Sequence, residues 1–345
     1  MKYIFFIFIF ISCAKFSYII EQGVGQISLE YNDIDVDTFL SSNKYSKSQK
    51  HKVQIIINAK NYFYEYFSIK KTDIYDEVKI LDRDAVTYLV IHSPHDRVSA
   101  IKTSFPVVGS FPYLGFFSQK SAKEYAKRKE SEGFQVYIRD VYAYSTLNHP
   151  LLPMDDNILS SFFYFSDEQL VELIFHELIH TIVFIKNDIK FNENLASFIA
   201  RKMTDEYFNN DGFNTRRLMS QKISKKIRSY ISLKINELNK IYKNEQNNIS
   251  PQNKLSRFLD EIFRPQGNLL CRKLNVNRCF TMDDDWNNAK FASYGTYEEK
   301  QNKLEILFNQ KKLSTKEFIK RIILIKDNGL IDTDKPIIEQ LGRKL

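Results

Sequence analysis

Before about residue 150 the apolar positions of this chain come mostly in short runs; from Asp167 onward they recur mostly at helical spacing. Residues 45–69 are the early exception and read as a helix whose aromatic face includes Tyr62, Tyr64 and Phe67. The runs 86–91 and 105–108 look like strands. Ser118 is placed to cap a helix that Gly133 stops, and 134–139 then alternates as a half-buried strand. That strand reads as continuing through 141–146. Helical spacing follows from 167 to about 245, again at 252–264, and at 298–327. No repeat, low-complexity tract or Pro/Gly-rich linker divides the chain. The expected class is α+β: a small mixed sheet in the N-terminal half packed on a mainly helical C-terminal half.

One helix stands apart. Ser166 with Gln169 makes a capping box, and Phe165 with Leu170 is placed to form a hydrophobic staple. The stretch 170–185 is apolar almost all the way round, the mark of a buried helix. At 100° per residue, Gln169, Glu172, His176 and His180 fall within about 40° of His176 on one stripe, with Glu177 beside it. Burying such groups costs several kcal/mol unless they have partners. Two imidazoles at i and i+4 share one metal ion well, and this is the H-E-x-x-H arrangement, with Glu177 set to deprotonate a metal-bound water.

A catalytic zinc takes three protein ligands and keeps one position open. Val183 and Lys186 stand where a Gly-and-His continuation would lie, so the third ligand must come from elsewhere. Glu193, at the start of a second helix, is the candidate. Read alone, it is equally an ordinary first-turn glutamate favoured by the helix dipole.

Composition narrows the classes. Among 345 residues, 43% are hydrophobic and 27% charged, which excludes disordered, collagen-like and multi-span membrane chains. Gly (10) and Pro (8) are scarce and Phe (28) and Tyr (20) plentiful, so few loops and aromatic cores are expected. The charge of +8 raises nucleic acid or anionic lipid as partners. Basic and acidic residues are interspersed, however, and the excess lies largely in 216–243, where a helix keeps it on a solvated face. Nucleic acid is therefore not expected.

At the N-terminus, Met1-Lys2 precedes an apolar run, Tyr3 to Ile11, too short to span a bilayer. It ends in Phe10-Ile11-Ser12-Cys13, which resembles a bacterial lipobox with Cys13 as the lipidated residue. A plain secretory signal and an uncleaved anchor remain open alternatives. Export permits disulfides, and Cys271 with Cys279 are the pair left, though spacing does not decide whether they bond.

H-E-L-I-H followed by N-E-x-L-A resembles the gluzincin metallopeptidases, and the twelve-residue spacer is similar to that of a family of bacterial zinc-dependent aminopeptidases, typically lipoproteins. Val107-Val108-Gly109, Tyr113-Leu114-Gly115-Phe116-Phe117, Val136-Tyr137-Ile138-Arg139 and Ala143-Tyr144-Ser145-Thr146-Leu147 resemble its segment before the zinc helices. Trp286-Asn287-Asn288-Ala289 and Tyr297 resemble its C-terminal signature. The likeness runs from about Gly23 to Asp327, and Asn148-His149-Pro150 departs from it.

The resemblance implies a signal peptide over 1–12 and one metallopeptidase domain over 13–345. Within it, the sheet-rich part is about 80–150, the zinc helices about 167–208 and the helical remainder 209–345. One zinc would be held by His176, His180 and Glu193, with Glu177 as general base in peptide hydrolysis. Tyr297 is the candidate oxyanion donor, against the commoner reading of a core tyrosine. The strand through Tyr144 and Ser145 is either the cleft edge that pairs with substrate or a plain strand. Glu172 either binds the substrate α-amine or supports a ligand. His51, His92, His95 and His149 have no ligand spacing. The implied partners are a peptide and the membrane holding the lipid anchor, in a bacterial cell envelope; oligomeric state is open. An endopeptidase of the same mechanism, or a binding lipoprotein with a structural zinc, are the alternatives, and Glu177 argues against the last.

Overall fold

The computed structural model describes residues 18, 21–25, 28–29, 33–105, 109–143, 156–185, 188–209, 211–244, 249–295, 301–332 and 335–345. The fold is α+β, with small sheets in the N-terminal half and helices in the C-terminal half.

Strand β1 (Ile34–Asp35) leads directly into α1 (Val36–Ser41), capped by Asp35. Helix α2 (Lys47–Phe67) starts at a Ser46–Gln49 capping box and ends at Ser68, whose φ of 57° turns the chain out of the helix. After β2 (Glu77–Lys79) come β3 (Thr87–Pro94), β4 (Thr103–Phe105), β5 (Gly109–Phe111) and β6 (Leu114–Phe116). Ser118 caps α3 (Gln119–Ser131), and Gly133, at φ 86°, stops it before β7 (Phe134–Val141). Strand β7 ends at Val141, short of the expected run to 146. Tyr142 and Ala143 are extended no further in a strand, and Tyr144 and Ser145 lie outside the described residues, as do 106–108 of the other expected strand.

Among the described residues the strands form three small sheets: β1-β2-β8, where β8 is Ile158–Leu159, then β6-β3-β7, and the pair β4-β5. Of these pairings only β2 with β8 is parallel. Strand β3 is buried along most of its length because β6 and β7 flank it and α3 covers one face.

The helical half begins with α4 (Asp167–Ile182) and α5 (Ile189–Phe208), then α6 (Asp211–Lys243). Helix α7 (Pro251–Arg257) passes through a π turn, Phe258–Phe263, into α8 (Arg264–Lys273). The sequence pattern ends this helix near 264, ahead of Pro265. The wider π turn shifts the backbone ladder just where proline removes a donor, so the helix carries on. Cys271 and Cys279 form a disulfide at the end of α8, with Cα atoms 5.6 Å apart. Helices α9 (Asn288–Gly295), α10 (Gln301–Lys311), α11 (Thr315–Asp327) and α12 (Ile337–Lys344) complete the chain.

The main core gathers α2, α4, α5 and α11 around Phe63, Phe175, Phe198 and Phe318, all fully buried. A second aromatic core, Phe258, Phe263, Trp286 and Phe291, joins α6 to the α7–α9 region. Among the described residues no helix is long and apolar enough to cross a membrane.

Candidate metal centre and adjoining cavity

Helix α4 is fixed at its first turn. Ser166 Oγ accepts from Gln169 N (3.3 Å) while Gln169 Oε1 accepts from Ser166 N (3.0 Å). Asp167 takes His51 Nε2 at 2.8 Å and Lys52 Nζ at 2.6 Å, both from α2. Leu170, Val171, Ile174, Phe175, Leu178 and Ile179 are buried against the main core. At about 1.5–3 kcal/mol each, these six outweigh the several kcal/mol that half-burying the polar stripe costs.

That stripe carries His176 and His180, whose side chains are 19% and 11% exposed. Helix α5 brings the third group. Its cap, Asp188, accepts from Phe191 N at 2.9 Å, so the helix begins at Ile189, four residues before the expected start at Glu193. Asn192, buried, then clasps the linking turn: its Oδ1 accepts from Ile185 N (2.9 Å) and its Nδ2 donates to Ile185 O (2.8 Å). This clasp sets the next residue, Glu193, opposite the two imidazoles.

The three residues close on one another, each imidazole against a different oxygen of the carboxylate. His176 Nε2 and His180 Nε2 lie 3.3 Å apart, and Glu193 places Oε2 3.3 Å from the first and Oε1 3.3 Å from the second. A tetrahedral zinc with bonds of about 2.0–2.1 Å separates its ligands by about 3.3–3.4 Å, so these residues could hold that ion. Ser197, one turn beyond Glu193, places Oγ 3.2 Å from His176 Nδ1. With Nδ1–H donating to Ser197, the Nε2 lone pair is left for a cation.

Charge at the cluster follows from contact. Burial draws the His176 imidazole down, but the hydrogen bond to Glu193 and the charges of Glu177, Glu193 and Glu172 outweigh it and raise its pKa. Burial pushes Glu193 up, and the two imidazoles overcome this and hold its carboxyl at about 2.

Beside the triangle opens a cavity of about 840 Å³ whose floor includes His176 and Glu177. Glu172, one turn before His176, lines it too, with Oε2 accepting from Arg217 Nη2 of α6 at 2.9 Å. Arg217 is nearly buried and also pairs with Asp205. The 216–243 stretch is therefore only partly a solvated face, because Arg216, Arg217 and Arg228 line this cavity.

Behind the site lies Tyr75, fully buried, in the left-handed region at φ 63°. Its hydroxyl is buried without a hydrogen-bond partner among the described residues. Burial first, then the charges of Asp156 and Glu177, raise its pKa well above the ordinary phenol value, so it stays a neutral donor.

Sequence reasoning thus named four residues that the fold brings together, His176, Glu177, His180 and Glu193, together with Glu172. It missed Asn192, Ser197, Arg217 and Tyr75. Ser197 had a local signal, four residues after Glu193 on the same helix face, and Asn192 directly precedes Glu193 in the quoted motif; Arg217 and Tyr75 meet the site only through tertiary packing. Tyr297, Tyr144, Ser145, His149 and Cys13 lie outside the described residues. His51 anchors α4 as described, His92 is buried among aromatic rings, and His95 lies 3.3 Å from Gln135, so none joins the triangle.

No curated protein and no solved structure gives a significant match to the chain. One family model does match, over residues 17–330, nearly the whole length. By that match the chain belongs to the family described as "Putative aminopeptidase".

Proposed function

We propose that this protein is a zinc-dependent peptidase, and specifically an aminopeptidase, with one zinc held by His176, His180 and Glu193. The observation that carries the reading is the closing of two imidazoles and a carboxylate on one another at 3.3 Å, with Glu177 next in sequence to His176 and facing the same cavity. A structural metal site has no use for such a carboxylate. When bound, zinc supplies Lewis acidity that makes a water acidic near neutral pH and polarises a carbonyl.

The chain's own residues do the rest. Glu177 accepts the water proton as the water oxygen attacks the peptide carbonyl carbon, then delivers it to the amine nitrogen as the C–N bond breaks. Ser197 keeps the His176 ring in one orientation and tautomer. Glu168 and Glu172 give the cavity an acidic wall on α4, suited to a substrate α-amine, although Glu172 shares its charge with Arg217. Tyr297 as oxyanion donor and Tyr144 with Ser145 as the substrate-pairing edge belong to the same proposal and rest on the resemblance alone.

We further propose export and lipid attachment at Cys13, to the bacterial cell envelope, with the membrane and a peptide as partners. The N-terminal pattern supports this, as does the Cys271–Cys279 bond, which suits an oxidising compartment. Cys13→Ser should move the protein from the membrane fraction to the soluble one. The deciding experiment on function measures zinc per chain and hydrolysis of peptides with free and acetylated N-termini. One zinc per chain with cleavage of free-amine peptides alone supports the proposal. Cleavage of both series makes it an endopeptidase, and zinc-free, inert protein overturns it.

A further inference from the structure

Helix α6 turns two different sides to its surroundings. At 100° per residue, its cavity-lining positions 217, 220, 221, 224 and 228 all lie about 100° or more from Lys222. Ile231 and Leu238, which enter the second aromatic core, lie on that same inward side. The opposite side is not packed. Within about 60° of Lys222, exposed positions recur from Thr215 to Lys243, a stripe about 40 Å long.

The stripe is basic, and no acidic residue stands among its exposed positions. It carries Lys222, Lys225, Lys226, Lys240 and Lys243, none of which makes an ion pair or hydrogen bond with a described residue. The sequence from 212 to 236 contains no Asp or Glu at all. Glu237, at the edge of the stripe, is held by Lys234 at 2.5 Å. Three large apolar side chains share the stripe with the lysines: Leu218, Met219 and Leu233, the last 68% exposed. Leu218 and Leu233 lie about 22 Å apart along the helix, with Lys222, Lys225 and Lys226 between them. Exposed leucines scattered singly need no explanation. Leucines set among unopposed lysines on one helix face have the composition of a helix that lies in a lipid interface.

We infer that the outward face of α6 docks on an anionic membrane surface, with its lysines on the headgroups and Leu218, Met219 and Leu233 at the acyl boundary. Charge complementarity selects an anionic partner, and the apolar tips select lipid among such partners. Nucleic acid carries the same charge, but arginine is the side chain whose planar fork matches phosphate, and every cation of the stripe is a lysine. A lysine's apolar stem lies along the interface while its ammonium reaches the headgroups. The contact is reversible and salt-sensitive, so it orients the chain and does not anchor it. A lipid on one residue would tether the protein without fixing which side faces the bilayer. Docking through this face leaves the cavity, on the other side of α6, turned away from the membrane. That consequence for substrate access rests on the peptidase reading, whereas the docking itself does not.

The full chain carrying Cys13→Ser, so that no lipid contributes, is sedimented with sucrose-loaded vesicles of phosphatidylcholine, alone or with about one-third phosphatidylglycerol. The anionic vesicles should bind about tenfold or more tighter than the neutral ones, with the advantage shrinking at high salt. Replacing Lys222, Lys225 and Lys226 together by Gln should remove most of that advantage, at about fivefold per lysine. Taking the same charge from α3, by Lys120→Gln, Lys123→Gln and Lys127→Gln together, should cost far less, which separates the face from net charge. Leu218→Ser with Leu233→Ser should weaken binding to the anionic vesicles about tenfold while the salt dependence stays. All these positions are exposed, and melting curves report the fold. Equal binding to the two kinds of vesicle, or equal losses from the α6 and α3 variants, overturns the proposal. So does tighter binding of a DNA duplex that ignores the leucine pair, which would assign the face to nucleic acid. A zinc-loaded chain that docks and cleaves no peptide would overturn the peptidase reading instead, and leave the docking face standing.

Discussion

Two polar constellations are buried in this molecule, and they are built to opposite ends. Around Asn288, every group is answered. Its Nδ2 donates to Pro94 O (2.9 Å) and His95 O (3.0 Å), its Oδ1 accepts from Tyr242, and its backbone N–H reaches Gln135. Asn287 donates to Val136 O, and Lys290 pairs with Asp283 and Asp285 while lying 4.9 Å from the Trp286 ring centre. These bonds stitch the helical half to β3 and β7, and the Asn288 amide nitrogen, amide oxygen and backbone N–H all have partners within the chain. Around His176, by contrast, two imidazole nitrogens and a carboxylate face one another at 3.3 Å, and three carboxylates and four arginines line a cavity. Both constellations are signatures of the same family resemblance. One ties elements together and the other borders a cavity.

That contrast can be broken by experiment. The largest expected effect is in Glu177→Gln, which should lower kcat/KM by about 10²–10⁴-fold while leaving zinc content and melting temperature intact. An unchanged rate would remove Glu177 from the chemistry. Next, Asn288→Ala strips partners from two carbonyls and a hydroxyl, and should cost about 3 kcal/mol in a denaturant titration without altering zinc stoichiometry. Loss of zinc in this variant would show that the two constellations are coupled. Reducing Cys271–Cys279 should cost about 2–3 kcal/mol, the value of a short closed loop, again with the metal retained. The smallest effect sharpens the other side: Ser197→Ala should weaken zinc about tenfold, read by competition with a chromophoric chelator, with little change in stability. A stability loss without any shift in affinity would make Ser197 a packing residue.

How much of this was legible beforehand depends on how local the cause is. The capping box at Ser166, the polar stripe on an apolar helix and the pairing of His176 with His180 are all set within a few residues, and they read directly. Glu193 read as a candidate because its partners were already known, but the start of α5 did not, since Asp188 caps it across a short turn. The arginines of α6 read as a solvated face because a helical wheel gives directions and not neighbours; only the packing of α6 over α4 and α5 turns Arg217 inward. The end of β7 at Val141 and the passage of α7 through Pro265 into α8 likewise depend on what lies beside them. Tyr75 is the extreme case, since nothing in the sequence marks a core tyrosine whose hydroxyl has no partner among the described residues.

The triangle of donors is unevenly sheltered: the Glu193 side chain is 56% exposed against 19% and 11% for the imidazoles. The imidazoles are held by a helix whose burial needs no metal, so the chain should fold first and load its ion afterwards. An ion held there would come and go past the glutamate, with that ligand swinging first and the histidines staying put. On the proposed zinc reading, maturation is a question of exchange kinetics, in which chelators would strip an already folded molecule and refilling would require no refolding.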